Sequence, residues 1–257
     1  MKIGWCCDLK DILTVQSLGF DYIEGAAASV AQMDEAEFSA VLSLVKSADI
    51  IPEAFCILFK AGISLVGDEV CLDTVDNYIA PLFERLAKLG GTTVVFGSGR
   101  ARRVPDGFSR DRAWEQLVSV GSLLGKRAAE NGLTVALEPL NPAECNILND
   151  GEKGAELVNT VSHPNFKLLL DYYHMGKAGE DIAHAETYAP LLAHTHIAHP
   201  VTRANPTPDD NGDYELFFAS LKKGGYHRRV SFEGRINDPA AELPETLAYL
   251  RRLANNT

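Results

Sequence analysis

The feature that most limits the folds open to this chain is an alternation, repeated eight times, of a short apolar segment with a longer amphipathic one. Strands are expected at residues 2–8, 20–24, 52–59, 92–96, 133–138, 166–171, 194–198 and 229–233. Helices are expected between and after them, at residues 9–18, 34–48, 68–89, 112–131, 151–161, 181–192, 214–223 and 243–253. Several of these helices stop at glycine (Gly19, Gly90-Gly91, Gly132, Gly224-Gly225), as a left-handed C-terminal cap demands. Eight strand–helix units in 257 residues have the size and rhythm of an α/β fold of the (β/α)8 TIM-barrel type. A doubly wound open sheet is the main rival. It would show a glycine-rich turn after its first strand, where this chain has Asp8-Leu9-Lys10. No Gly/Ser linker or run of charge divides the sequence, so residues 1–257 are expected to form a single domain.

In a barrel of this kind the chemistry sits at the C-terminal ends of the strands. The fifth strand, Leu133-Thr-Val-Ala-Leu-Glu138, runs into a carboxylate and is stopped by Pro139, which cannot donate to a strand ladder. One such acid alone is as readily a helix cap or a solvated turn. Here the event recurs: the next three strands end in Asp171, with His174 three residues on, then His196, then Glu233. Acids placed behind apolar runs are costly to desolvate unless paired or bound to a cation, and none of these strand ends carries a lysine beside its acid. Glu138, Asp171, His196 and Glu233 are therefore expected to hold one divalent metal ion. Three oxygens and one nitrogen suit Mn²⁺ first, with Mg²⁺, Co²⁺ or Zn²⁺ as alternatives. His194 shares a face with His196 and is expected to fill a lower layer. Asn141 and Glu144 follow Glu138 on a loop within its reach.

Composition narrows the partners. A net charge of −11 argues against a nucleic-acid backbone, and no apolar run is long enough to span a membrane. The chain enters its first strand at once, so no signal peptide is expected and a cytoplasmic location is. Five cysteines, two of them adjacent (Cys6-Cys7) and none in a CxxC spacing, are expected to be reduced thiols.

The segments Leu137-Glu-Pro-Leu-Asn141, Leu170-Asp-Tyr-Tyr-His174, His194-Thr-His196, Arg203 and Ser231-Phe-Glu-Gly-Arg235 resemble the sugar phosphate isomerase/epimerase (xylose isomerase-like barrel) superfamily. The likeness is greatest to its D-tagatose/D-psicose 3-epimerase branch. The stretch from Phe96 to Phe108 is also similar to that superfamily. The resemblance puts the metal ligands on the same four residues and implies substrate contacts at Glu144, His174 and Arg203, with Trp5 standing in for the family's substrate-facing aromatics. Arg203 lies one residue further along than the family pattern. It also implies a small-molecule sugar or sugar phosphate as partner, and a homodimer or homotetramer is compatible with it.

The chemistry expected is removal of a proton next to a ketose carbonyl, through an enediolate stabilised by the metal, and its return to the other face. Strands five and eight lie three places apart in a ring of eight, so Glu138 and Glu233 should flank the metal and act as the base and acid. Inosose dehydration and hydroxypyruvate isomerisation begin with the same step and remain alternatives, as does a non-catalytic metal–sugar binding protein. Endonuclease chemistry at a trinuclear zinc site fits worst, because no histidine precedes His163. Arg100, Arg102 and Arg103 either reach a substrate phosphate or solvate a long loop, with the loop preferred. His199 lines the pocket or belongs to its loop, and His163, His184 and His227 are expected to be structural.

Overall fold

The computed structural model describes residues 1–256. Eight parallel strands close into one barrel in sequence order: β1 (Lys2–Cys6), β2 (Tyr22–Ala26), β3 (Pro52–Cys56), β4 (Thr93–Phe96), β5 (Thr134–Leu137), β6 (Phe166–Asp171), β7 (Leu192–Ile197) and β8 (Arg229–Phe232), with β8 pairing back onto β1. The (β/α)8 expectation holds. Outside the strands lie α1 (Ile12–Ser17), α2 (Ala27–Gln32), α3 (Glu35–Ser47), α4 (Leu72–Lys88), α5 (Arg110–Glu130), α6 (Gly151–Val161), α7 (Tyr172–Ala178), α8 (Ala185–Tyr188), α9 (Tyr214–Lys223) and α10 (Pro239–Asn255). None of the helices among the described residues is long and apolar enough to cross a membrane.

Local chemistry accounts for the boundaries. Asp34 and Glu37 form a reciprocal capping box at the start of α3, and Ser109 and Asp150 cap α5 and α6 through their side chains. Two helices were not expected. The residues of α2 are mostly small and carry no strong apolar period. In α7 the ligand candidate Asp171 is itself the N-cap: one of its oxygens accepts from Tyr173 N at 2.9 Å, so the helix begins where the strand ends. The segment expected as one helix at residues 181–192 is instead a broken series of short turns, with Pro190 at the start of the last.

The main core lies between strands and helices, whereas the barrel interior is filled separately. On one side of the interior is a compact apolar group of Cys56, Val95, Ala136, Leu169 and Ala193. On the other, the Tyr22 ring occupies the space that a side chain at Gly4 would need; a Cβ there would come within 2.3 Å of it. Tyr22 Oη and Ser231 Oγ share a hydrogen bond of 2.7 Å at this level. Below, Arg229 crosses the floor to Thr92, Thr93 and Glu53, donating at 2.6–3.0 Å to their side chains.

Arg102 corrects an expectation. It neither solvates its loop nor faces solvent, but is fully buried and donates to the carbonyls of Phe96 (3.0 Å) and Glu138 (2.6 Å). It thereby ties the loop after β4 to the ends of β4 and β5. Arg102→Lys loses the fork that spans both carbonyls; Phe96 O keeps the Glu138 N–H at 3.1 Å, but Glu138 O would lose its side-chain donor, and a buried acceptor left unpaired costs about 1–3 kcal/mol. Urea denaturation should show the variant less stable by about 2–4 kcal/mol; an unchanged midpoint would show that the clamp carries no stability.

Candidate metal and sugar site

The upper end of the barrel brings together the four residues that end the last four strands. Asp171 and His196 are paired across β6 and β7, and His196 faces Ser231 across β7 and β8. Glu138 and Glu233 each lie one residue beyond their strands, where the ladder has stopped and the side chain can turn over the mouth. One ligand atom from each of Glu138, Asp171, His196 and Glu233 lies within 4.8 Å of all the others. Gly97 leaves room for this: a Cβ there would sit 2.2 Å from Glu138 Oε2.

His196 fixes the polarity of the site. Its Nε2 donates to Glu24 Oε1 at 3.0 Å, which turns Nδ1 towards Glu138 Oε1 (3.3 Å) and Glu233 Oε2 (3.6 Å). A carboxylate that orients the far nitrogen of an imidazole is the usual outer support of a metal-binding histidine. Glu24 was not among the residues expected here, although Tyr22-Ile23-Glu24 ends in an acid as the later strands do. Its second oxygen accepts from His194 Nε2 (2.7 Å) and Ser231 Oγ (2.5 Å). His194 thus lies in the layer below the mouth, as expected. Burial works to raise the Glu24 carboxyl, but the two imidazoles outweigh it and hold the group well below the ordinary carboxylate range.

The other acids are less well served. Asp171 caps α7 with one oxygen, while Oδ2 is buried without a hydrogen-bond partner. Burial, with the Glu138 charge added, raises its pKa. Glu233 is pushed up to about 7 by burial and by Glu138, against the pull of His196. Burial also acts to raise Glu138, but the His196 hydrogen bond and charge bring it below its usual value. His196 itself is disfavoured as a cation by burial, yet Glu24 and Glu233 raise it well above an ordinary imidazole. An orphaned carboxylate oxygen, and an imidazole nitrogen aimed at two further carboxylates that would offer its lone pair once its proton is displaced, make a donor set that fits a divalent cation.

A rim surrounds the four. His174 Nδ1 accepts from Asn141 N (3.1 Å) and faces Asn141 Nδ2 at 2.8 Å, so its proton is on Nε2, which points to Asp171 Oδ2 at 3.6 Å. Asn141 Nδ2 also donates to Glu144 Oε1 at 3.0 Å. Arg203 donates to Glu233 Oε2 at 2.7 Å, comes within 3.5 Å of Glu144 Oε1, and lies 4.7 Å above the Tyr173 ring. Its loop is tied down by His199, whose Nδ1 accepts from Val201 N and Thr202 N and whose Nε2 donates to Asp210 O. His199 is therefore a loop residue.

Trp5 does not join the site. Alternation along β1 sends Gly4 and Cys6 inward and Trp5 outward, where it packs against Phe20 with ring centroids 6.1 Å apart and is only 6% exposed. His163 accepts from Asn165 N and His184 packs edge-on to Tyr188. His227 lines a cavity with Met1 and Lys2.

Comparisons with known proteins follow the same outline. A family model described as Xylose isomerase-like TIM barrel matches residues 12–253. The L-ribulose 3-epimerase of Methylomonas sp. (strain DH-1) is 28% identical over 251 residues, spanning 95% of this chain and 84% of that protein. Among solved structures, D-psicose 3-epimerase, crystallised in the presence of D-fructose, is similar in fold with a TM-score of 0.89 and 20% identity over 100% of both chains. The 3-keto-D-glucoside 4-epimerase YcjR of E. coli gives a TM-score of 0.83 and 23% identity over 98% of this chain and 99% of the other. With a match that takes in seven of its eight strands, the chain belongs to the xylose isomerase-like TIM barrel family.

Proposed function

We propose that this isomerase-class enzyme epimerises a ketose at C3, the carbon next to the carbonyl, with Glu138 and Glu233 exchanging the proton. The observation that carries this reading is the approach of two carboxylates from strands three places apart, one buried and one part-buried, to His196 Nδ1 at 3.3 and 3.6 Å. Their environments push them apart: Glu138 is held below its usual value and Glu233 is raised to about 7. A pair divided in this way offers one group ready to accept a proton and one ready to give it.

Glu138, Asp171, His196 and Glu233 would hold one divalent cation, Mn²⁺ being the first choice. When bound, such an ion supplies Lewis acidity to the ketose carbonyl and a fixed seat for the hydroxyl beside it. One glutamate takes the C3 proton, the electron pair left on carbon moves into the carbonyl, and the other glutamate returns a proton to the opposite face. Direction of reaction decides which glutamate acts first. The Nε2–H of His174 is placed to donate to a sugar oxygen. Arg203 both steadies Glu233 and closes the rim over the substrate, and Glu144 at that rim accepts from a hydroxyl. Glu24 touches no substrate; it positions His196 by holding Nε2, so that Nδ1 faces Glu138 and Glu233. Relatives named as 3-epimerases support this over dehydration, which shares only the first step.

In D₂O, the Mn²⁺-loaded protein should place deuterium at C3 of a free ketose and produce its epimer, resolved by chromatography. Glu233→Gln should keep the fold and lose about 10²–10⁴-fold in kcat; near-wild-type turnover in that variant would refute the acid/base assignment. Metal binding must also displace protons from Glu233, near 7, and from His196. Mn²⁺ affinity should therefore weaken as pH falls from 8 to 6, by up to about tenfold per pH unit for each proton displaced. Isothermal titration in buffers of different ionisation enthalpy reads the protons released, and a flat profile would contradict the ligand set.

A further inference from the structure

A cavity of about 620 Å³ leads away from Glu233 across the ends of β1, β2 and β3. Its inner end is walled by Glu233 and by two small inward side chains, Cys6 and Cys56, whose sulfurs lie within 4.8 Å of a Glu233 oxygen. No bulky side chain separates the carboxylate from this space. Pockets that hold drug-sized ligands run from about 300 to 1,000 Å³. The volume thus exceeds what a few carbons held between Glu138 and Glu233 require.

The outer wall carries an unusual residue. Ile57 follows the last residue of β3 with φ of 51°, in the left-handed region that a β-branched side chain avoids. Strain of this sort costs about 1–3 kcal/mol and persists where the surroundings impose it. Here the Ile57 carbonyl accepts from Ala28 N at 3.0 Å at the start of α2. The result is an apolar side chain 53% exposed at the cavity mouth, a platform for the C–H face of a ring. The same lining holds Ser29 and Gln32; the hydroxyl can donate and accept, and Gln32, whose Nε2 already donates to Ala28 O at 2.9 Å, keeps its carbonyl oxygen and second N–H for a sugar hydroxyl. The charge is wrong for an anion: Asp8, Glu37 and Glu233 line the cavity against a single cation, Lys10.

We propose that the natural substrate is a ketose bearing a neutral glycosyl substituent, with the open-chain ketose between Glu138 and Glu233 and the glycosyl ring in this cavity against Ile57. The proposal rests on the epimerase reading and names the class of substrate for the same site.

The test compares solvent-deuterium incorporation at C3 by the Mn²⁺-loaded full chain for D-fructose, isomaltulose, maltulose and fructose 6-phosphate. The two glucosyl-fructoses keep C3 and the carbonyl free. At least one of them should exceed D-fructose by tenfold or more in kcat/KM, chiefly through KM, and the phosphate should fall below D-fructose. Ile57→Gly, which relieves the positive φ, should raise thermal stability while lowering the disaccharide-to-fructose ratio of kcat/KM several-fold. Ser29→Trp, which fills the cavity, should lower that ratio at least tenfold. Exchange with D-fructose at a rate equal to or above both disaccharides overturns the glycosyl subsite and leaves the epimerase reading standing. Preference for the phosphate likewise overturns it. Absence of exchange with every sugar removes both.

Discussion

Repulsion among Glu138, Asp171 and Glu233 is the constraint on which the rest of this structure turns. Three carboxylates are drawn from water at the mouth of a barrel whose walls are apolar, and mutual burial is unfavourable for each of them. The protein relieves the strain only in part. Arg203 reaches Glu233, His196 reaches Glu138, and Asp171 turns one oxygen to cap α7 and leaves the other bare. A site so arranged is suited to a cation, which would offer the three carboxylates the partner they lack. The same unpaired charge that destabilises the fold locally would be offset by a bound cation.

Beneath that layer, the scaffold spends a second set of polar groups on orientation. Glu24 receives donors from His194, His196 and Ser231, and Ser231 meets Tyr22, so that a fully buried network sits directly under the ligands. Such a network rigidifies because its members bond one another, with only His194 Nδ1 left without a partner. Arg102 does comparable work from the side, holding the carbonyl of Glu138 while Gly97 leaves space for its carboxylate. Geometry at the mouth is thus set from below and from the flank, with Glu144, His174 and Arg203 bonded into the rim around it.

Much of this was legible in the sequence for a physical reason. A strand that is buried on both faces reads as an apolar run, so an acid or histidine at its end stands out, as at Glu138, Asp171, His196 and Glu233. Glu24 carries the same signal after Tyr22-Ile23, but nothing in a sequence distinguishes a carboxylate at the mouth from one that orients a histidine beneath it. Trp5 misled because its type suggested a ring for the substrate, while alternation along β1 sends it to the outer core beside Phe20. Arg102 misled in the opposite sense: a basic residue in a long loop ordinarily faces water, and only the tertiary fold shows two carbonyls waiting for it. Helix α7 was missed because its cap is a site residue, so one aspartate serves two purposes that sequence patterns treat separately.

The most direct measurement is anomalous diffraction from crystals grown with Mn²⁺. The account requires one peak, bonded at about 2.0–2.3 Å to Glu138, Asp171, Glu233 and Nδ1 of His196, with Glu24 held back on Nε2 of that ring. A peak that engages Glu24 directly, or one that sits on Cys6 and Cys56 and leaves Asp171 unbound, would contradict it.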